Sequence, residues 1–255
     1  MYRIRSFLSY WLNAVDEHSL HSPFFFDLYT TIIKSPPSQP GYTAIESLRR
    51  KLTHDHRTIK VQDFGTGAAK GSARKISSIA RTSLTPARFS RIYAGIARQF
   101  KSRAIIELGT SFGINTLYLA DDKQATVTTF EGAPAIADIA TITFEFAGKN
   151  NIELIVGNID KTLPTYLQRV RKIDLAFIDA NHRYEPTVRY FDYLLSKVHE
   201  QSVVIVDDIH HSAGMEKAWN EIKHHRLVYA SADLFRCGIA FFDPSLNKQH
   251  VVLQL

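Results

Sequence analysis

The chain has 255 residues, of which 45% are hydrophobic and 22% are charged. This is an ordinary globular balance, and it excludes a disordered or fibrous protein. No apolar run approaches the roughly 18 residues that cross a bilayer, so no membrane association is expected. The single cysteine, Cys237, cannot form an internal disulfide, and the first residues lack the pattern of a signal peptide. We therefore expect a cytoplasmic protein.

Charge is distributed unevenly along the chain. Residues 1–100 contain 15 Lys and Arg against six Asp and Glu, whereas residues 101–255 contain 16 against 19. Most of the basic excess lies between Lys60 and Arg103. Such a stretch can attract nucleic acid or an anionic substrate, but it is also typical of a solvated surface. Charge alone does not choose between these interpretations.

Apolar residues near the start recur at helical spacing and predict an amphipathic helix. Its polar face is not Lys-rich, as it would be in a helix that binds a membrane surface. We expect the apolar face to dock on the chain's own core or on a second copy in a homodimer. Residues 35–41, rich in Pro and Ser, predict a loop. The apolar stripe consists of Ile4, Phe7, Leu8, Trp11, Leu12 and Val15.

Beyond residue 100, short apolar runs alternate with longer helical patterns. This alternation predicts an α/β fold, a Rossmann-like, doubly wound sheet of seven mostly parallel strands with an N-terminal helical extension. We divide the chain into that basic extension, residues 1–99, with a role as a lid or in dimerisation, and a sheet domain, residues 100–255. The helices are expected to begin near Gly113, Pro134, Lys161, Tyr184 and Gly214. The seven strands are predicted at Ala104–Leu108, Thr126–Phe130, Ile152–Val156, Leu175–Ile178, Ser202–Val206, Leu227–Ala230 and Gly238–Phe242.

Two glycine-containing loops are candidates for a phosphate or nucleotide site. The first, Asp63–Ser72, resembles a P-loop, but it reads Lys-Gly-Ser where Gly-Lys-Ser or Gly-Lys-Thr is required. Its lysine therefore cannot reach a phosphate in the usual way, and no strand with a terminal acid follows about 20 residues later. We interpret this segment as a flexible basic loop that could serve as a lid.

The second loop, Glu107–Gly113, follows a predicted strand and leads into a helix. The next strand ends at Glu131, 22 residues after Gly109, where a carboxylate can bind both ribose hydroxyls of a nucleoside. The loop lacks the G-x-G-x-x-G pattern that brings backbone against a pyrophosphate, which argues against an NAD-dependent dehydrogenase. Its wider spacing suits a nucleoside without phosphates and indicates S-adenosylmethionine.

Three aspartates follow two neighbouring strands of the predicted sheet. Asp179 follows the fourth strand, and Asp207 and Asp208 follow the fifth. Because the carboxyl ends of parallel strands meet at one rim, we expect three mutually repelling carboxylates there, and a divalent cation would neutralise them. Oxygen ligands favour Mg²⁺, Ca²⁺ or Mn²⁺ over zinc. The alternative is that these aspartates cap the following helices.

Together these motifs resemble class I S-adenosylmethionine-dependent methyltransferases over roughly residues 100–245. The resemblance implies that the glycine loop contacts the methionine part of the cofactor, that Glu131 binds its ribose, and that the residues after the third strand border its adenine. The implied cofactor-binding residues are Glu107, Gly109, Thr110, Ser111, Gly113, Glu131, Gly132, Gly157, Asn158, Ile159 and Asp179.

The segment from Asp179 to Tyr184 resembles the Asp-x-x-His-x-Tyr signature of macrocin-type sugar O-methyltransferases, which are metal-dependent relatives of catechol O-methyltransferase. That resemblance implies that Asp179, Asp207 and Asp208 bind the metal and that His182 is the general base. Without a metal, His182 or Asp179 would be the base. Catechol-type enzymes have Asn where Asp208 stands, so a metal would be bound differently here. The first hundred residues have no counterpart in these motifs, so the identity of the acceptor does not transfer.

The leading hypothesis is therefore an O-methyltransferase of a small hydroxylated molecule, assisted by a divalent metal. A hydroxyl is a poor nucleophile at neutral pH, and a metal with a histidine base can deprotonate it. Two alternatives stay open: an RNA or protein methyltransferase that uses the basic stretch, and a non-catalytic nucleoside-binding module. The absence of an Asn-Pro-Pro-Tyr motif argues against methylation of base amino groups. The retained acids Glu131, Asp179, Asp207 and Asp208 argue against a degenerate site.

Overall fold

The computed structural model describes residues 2–62 and 72–255. The predicted basic loop Asp63–Ser72 therefore lies outside the described residues, except for Ser72, which begins a strand. Two compact units make up the chain: Pro37–Arg169, and Met1–Pro36 together with Val170–Leu255. The division into sequence domains at residue 100 stays a prediction. Across the described ranges, every helix is too short or too polar to cross a membrane.

Residues 2–62 and 72–100 are mostly helical. A short 3-10 turn, Glu17–Ser19, follows the first helix, and a π-helical turn, Tyr29–Ile33, follows the second. The helices are α1 (Tyr2–Asn13), α2 (Pro23–Leu28), α3 (Tyr42–Thr53), α4 (Ile76–Ser83) and α5 (Ala87–Gln99). Two strands, β1 (Thr58–Val61) and β2 (Ser72–Lys75), pair antiparallel.

From Ala104 to Lys223, strands and helices alternate as predicted, and the helices begin within two residues of the expected positions; three strands then follow without a helix between them. The strands are β3 (Ala104–Leu108), β4 (Thr126–Glu131), β5 (Ile152–Val156), β6 (Leu175–Ile178), β7 (Val203–Asp207), β8 (Ala230–Asp233), β9 (Cys237–Phe241) and β10 (Gln249–Val252). The helices are α6 (Ile114–Leu119), α7 (Pro134–Phe146), α8 (Ile159–Arg169), α9 (Tyr184–Leu195) and α10 (Ala213–Lys223).

The last eight strands form one sheet in the order β10-β8-β9-β7-β6-β3-β4-β5. Strands β3, β4 and β5 pair in parallel, β6 pairs in parallel with β7, and β9 runs antiparallel to both of its neighbours. Every residue of β6 and β7 is buried, in keeping with sequences that are apolar except for Asp207 at the end of β7. The prediction of a Rossmann-like, mostly parallel α/β sheet is confirmed.

Two features of the sheet differ from the prediction. The strand expected at Leu227–Ala230 begins only at Ala230, because a turn precedes it in which the Val228 N–H donates to the His225 carbonyl. Within the described part of the chain the sheet also has eight strands rather than seven, since β10 pairs in parallel with β8. The sequence of β10, Gln-His-Val-Val, is short and half polar, which is typical of an edge strand and hard to distinguish from a loop.

Helix α1 is amphipathic, as predicted, but most of its apolar stripe faces solvent. Its inner face contains Tyr10, whose buried hydroxyl donates a 2.5 Å hydrogen bond to the Leu253 carbonyl. The rings of Phe7 and Tyr10 pack against Phe235. The expectation that the stripe docks on the chain's own core is therefore wrong for much of it, whereas burial in a homodimer stays a prediction. The residues between 52% and 74% exposed are Ile4, Leu8, Trp11 and Leu12.

Candidate functional site

The loop after β3 turns sharply into α6 and depends on glycine at two positions. Gly109 has φ 103° and Gly113 has φ 79°, values that residues with a Cβ rarely adopt. A Cβ on Gly113 would also overlap the ring of Phe144 in α7. Ser111 lies between them at φ 49°. The result is a tight turn at the carboxyl end of a parallel strand, where ligands of such sheets bind.

The carboxylate of Glu131, the last residue of β4, is oriented by backbone donors. The Ser111 N–H donates to Oε2 and the Ala133 N–H donates to Oε1, each at 2.9 Å. A carboxylate can accept about four hydrogen bonds, so this arrangement is compatible with ribose hydroxyls as further donors. Gly132 lies between Glu131 and Ala133 in the turn that leads to α7.

Backbone hydrogen bonds tie together the loops that follow β3, β4 and β5. The N–H groups of Gly109 and Thr110 donate to the Phe130 carbonyl at 3.0 and 3.1 Å, and the Gly157 N–H donates to the Glu131 carbonyl at 2.8 Å. The structure thus brings the predicted cofactor residues of these three loops together within one unit.

Within the loop after β5, the polar side chain is committed to a helix end. The Asn158 Oδ1 accepts a 2.9 Å hydrogen bond from the Asp160 N–H and so caps α8, whose first residue, Ile159, is buried. Gly157 precedes this cap at φ 142°. This loop therefore offers backbone and apolar surface, the kind of border that an adenine ring requires.

Glu107 and Thr110, both predicted to bind the cofactor, direct their side chains inward. The Glu107 carboxylate is 0% exposed and accepts hydrogen bonds from Asn115 at 2.9 Å, from Thr129 at 2.6 Å and from Thr116. The Thr110 hydroxyl lies 2.6 Å from that of Thr129. These side chains brace the glycine loop from inside, so Thr110 can offer only its backbone to a ligand.

Burial raises the pKa of the Glu107 carboxyl to about 7, although its three hydrogen-bond donors oppose the shift. These donors belong to none of the sequence motifs. A buried carboxylate requires hydrogen-bond partners, so polar residues inside apolar elements are the signal that could have indicated them. Here these residues are Thr129 in a buried strand and Asn115 and Thr116 in a buried helix.

A second group of predicted residues lies after β6 and β7. The His182 Nε2 is 3.5 Å from the Asp179 Oδ1, and the His182 Nδ1 is 3.8 Å from the Asp208 Oδ2. These distances are longer than those of hydrogen bonds, so the two carboxylates are close neighbours of the imidazole rather than its hydrogen-bond partners. The His211 ring lies 6.0 Å from that of His182. We name Asp179, His182 and Asp208 the acid–histidine cluster.

Burial lowers the pKa of the His182 imidazole below its ordinary value of 6.5. The neighbouring His211 and Arg236 act in the same direction on this pKa, whereas the Asp208 carboxylate opposes them. The imidazole is therefore neutral at pH 7, and a neutral imidazole is the form that can accept a proton.

Unusual backbone conformations concentrate at these two places. Six non-glycine residues have positive φ in the part of the chain that the structure describes, and Ser111 of the glycine loop is one of them. Such conformations cost of order 1–3 kcal/mol each and persist where the surroundings enforce them, often at functional sites. Four more lie in or beside the acid–histidine cluster: Asn181 (64°), His182 (42°), Asp208 (53°) and Phe235 (63°).

The predicted three-carboxylate metal site does not form, because an arginine neutralises one of its members. The Asp207 side chain is 0% exposed, and its Oδ2 accepts hydrogen bonds from the Arg236 Nη2 at 2.6 Å and Nε at 3.1 Å. The Arg236 Nη1 also lies 4.0 Å from the Asp208 Oδ1. Over residues 2–62 and 72–255, no three His, Cys, Asp or Glu side chains are grouped to hold a metal ion. The residues therefore do not fit Mg²⁺, Ca²⁺ or Mn²⁺. Arg236 belongs to no sequence motif, and its contact with Asp207 was not predicted.

Residues 106–209 match a family described as a methyltransferase domain. The matched segment contains the glycine loop, Glu131 and the acid–histidine cluster, whereas Arg236 lies beyond it. The resemblance to class I S-adenosylmethionine-dependent methyltransferases, inferred from the motifs, is confirmed. Among curated proteins, no sequence matches the chain significantly.

Solved structures of methyltransferases with bound cofactor have a similar fold. An O-methyltransferase from Bacillus cereus in complex with S-adenosylhomocysteine gives a TM-score of 0.58 at 17% identity, over 84% of this chain and 94% of that one. TomG from Streptomyces achromogenes, an O-methyltransferase involved in tomaymycin synthesis and bound to S-adenosylmethionine, gives 0.58 at 18%, over 85% and 95%. The Podospora anserina methyltransferase PaMTH1 with S-adenosylhomocysteine gives 0.56 at 15%, over 82% and 98%. At these identities the likeness establishes the methyltransferase fold.

Proposed function

We propose that this protein transfers the methyl group of S-adenosylmethionine to a hydroxyl oxygen of a small molecule. The observation that carries the proposal is the Glu131 carboxylate, which the Ser111 and Ala133 N–H groups orient at the end of β4. The match of residues 106–209 to a methyltransferase domain and the cofactor-bound structural neighbours support it.

Residues of three loops bind different parts of the cofactor. Glu131 accepts hydrogen bonds from the two ribose hydroxyls. A carboxylate suits this role because a hydrogen bond to a charged acceptor is stronger than one between neutral groups. The backbone of Gly109–Gly113 lies against the methionine part, and residues 157–159 border the adenine. When bound, S-adenosylmethionine supplies an electrophilic methyl carbon on a positively charged sulfur.

His182 acts as the general base for the acceptor hydroxyl. Because its imidazole is neutral at pH 7, it takes the hydroxyl proton as the oxygen attacks the methyl carbon and the carbon–sulfur bond breaks. The carboxylates of Asp179 and Asp208, which lie within 4 Å of the ring, stabilise the imidazolium that results. General base catalysis of this kind contributes about 10²–10⁴ in rate. No step uses a metal ion.

Transfer of a labelled methyl group tests the reaction and the class of acceptor together. The wild-type protein is incubated with methyl-labelled S-adenosylmethionine and a cell extract, which is then separated into small molecules, RNA and protein. We expect label in the small-molecule fraction, greatly reduced for His182→Gln. Full transfer is expected for His224→Gln, since His224 is exposed.

Two outcomes would contradict the proposal. Label in RNA or protein would favour the alternative acceptors that the basic N-terminal stretch suggests. Absence of label from every fraction, with normal cofactor binding, would favour a non-catalytic nucleoside-binding module.

A further inference from the structure

Arg236 contributes a positive charge to the acid–histidine cluster from outside the matched methyltransferase domain. Arg236 immediately precedes β9, which pairs antiparallel with β7. In this pairing Cys237 lies opposite Asp207. The Arg236 carbonyl accepts a 3.1 Å hydrogen bond from the Ile209 N–H. Main-chain and side-chain contacts thus both join Arg236 to the segment that carries the aspartates.

Aromatic packing holds the residue next to Arg236. The Phe235 ring stacks on His210 with ring centroids 5.3 Å apart, and Phe7 of α1 meets it edge-on at 5.2 Å. The His210 Nε2 lies 2.8 Å from the Asp233 Oδ2. Phe235 adopts a positive φ of 63° in this setting, so its surroundings enforce a strained backbone just before Arg236.

The Asp207 carboxylate needs a partner, because a fully buried, unpaired carboxylate costs several kcal/mol. A divalent cation or a guanidinium group can meet this need, but two hydrogen bonds from Arg236 already reach the Asp207 Oδ2. Arginine also stays protonated across the working pH range, so its charge is permanent.

We propose that Arg236 is a positioning residue that supplies, in place of a divalent cation, the positive charge at these strand ends, so that methyl transfer needs no metal. The inference rests on the proposed function of the same site. Asp208 links the two parts, because its Oδ1 lies 4.0 Å from Arg236 and its Oδ2 lies 3.8 Å from His182. Arg236 therefore holds Asp207 and draws Asp208 into place beside the base.

Titration with Mn²⁺ tests whether Arg236 takes the place of a divalent cation, and it requires no catalytic turnover. We expect no binding by the wild type or by Arg236→Lys, which keeps the positive charge. Arg236→Met should bind Mn²⁺ measurably by calorimetry, since Asp207 and Asp208 lose their counter-charge. The double variant Asp207→Asn/Arg236→Met should lose that binding again. Stoichiometric binding of Mn²⁺ by the wild type, or none by folded Arg236→Met, would overturn the proposal.

Kinetic measurements distinguish a role of Arg236 in the reaction from a purely structural role. Excess EDTA should leave wild-type methyl transfer unchanged, Arg236→Met should lower it at least tenfold, and Arg236→Lys should restore part of the loss. Loss of wild-type transfer in EDTA with recovery in Mg²⁺ would overturn the proposal, and this test also decides the matter if Arg236→Met does not fold. Failure of the wild type to bind S-adenosylhomocysteine would instead refute the proposed function and leave the Mn²⁺ result interpretable.

Discussion

The guanidinium group of Arg236 donates two hydrogen bonds to one carboxylate oxygen of Asp207, a residue with no exposed surface. This pair changes the expected chemistry of the site. Three aspartates after neighbouring strands suggest a cation, whereas an aspartate already neutralised by arginine leaves no need for one. In the proposed reaction the acid–histidine cluster then functions through proton transfer and charge complementarity, without a metal.

Glu107 should make the stability of the protein depend on pH. Its carboxyl has a pKa of about 7 when folded, against an ordinary value of 4.5. As the pH rises from about 4.5 to about 7, the unfolded chain releases this proton while the folded protein keeps it, so stability falls, by about 3 kcal/mol in total. Above pH 7 this contribution levels off.

Glu107→Gln should remove this pH dependence, as measured by urea unfolding at pH 4.5 and pH 8. The amide fits because the Asn115 Oδ1 is buried without a hydrogen-bond partner among the described residues, so a flipped Asn115 can accept from the new NH₂ group. Glu145→Gln, at an exposed position, is the control. Equal pH slopes for Glu107→Gln and the wild type would show that the carboxyl is not the source.

Gly113→Ala should destabilise the fold more than Gly148→Ala. Both glycines have positive φ, 79° and 61°, so alanine is strained at either place. Only at Gly113 would the new Cβ also overlap the Phe144 ring, whereas nothing lies within 4 Å of it at Gly148. We expect an additional loss of about 1–3 kcal/mol for Gly113→Ala in urea unfolding, with weaker cofactor binding. Similar losses in the two variants would contradict the close packing of this loop.

His182 should set the acid side of the pH profile. A general base works when deprotonated, and burial lowers the pKa of this imidazole below 6.5. The rate constant of methyl transfer should therefore fall only at pH values below this pKa and stay level above it. His182→Gln should lower the rate by about 10²–10⁴ and abolish the acid limb. An unchanged limb in the variant would assign the proton to another group.

Much of the fold can be predicted from the sequence because its central strands are continuous apolar runs bounded by turns. Leu175–Ile178 lies where expected, and Val203–Asp207, whose first four residues are apolar, lies one residue beyond the predicted Ser202–Val206. The edge strand Gln249–Val252 could not be distinguished in this way. The apolar stripe of α1 does not reveal what covers it: Phe7 packs on Phe235, and burial of the exposed residues in a homodimer stays a prediction.

The candidate site could be predicted only where its residues belong to local motifs. The Gly109–Gly113 loop, Glu131 and His182 follow strand ends and stand out in the sequence. The Arg236–Asp207 pair joins residues 29 positions apart through the antiparallel pairing of β9 with β7, and no local spacing encodes it. The inward orientation of Glu107 likewise depends on Thr129, which comes from the neighbouring strand.

Binding of S-adenosylhomocysteine measured by isothermal calorimetry tests the central claim most directly. The wild type should bind it with or without Mg²⁺, and Glu131→Ala should weaken binding by about 2–3 kcal/mol, or roughly 30–150-fold, because a charged acceptor for two ribose hydroxyls is lost. Glu145→Ala, at an exposed helix position, should bind like the wild type. Absence of binding by the folded wild-type protein at millimolar ligand would contradict the account.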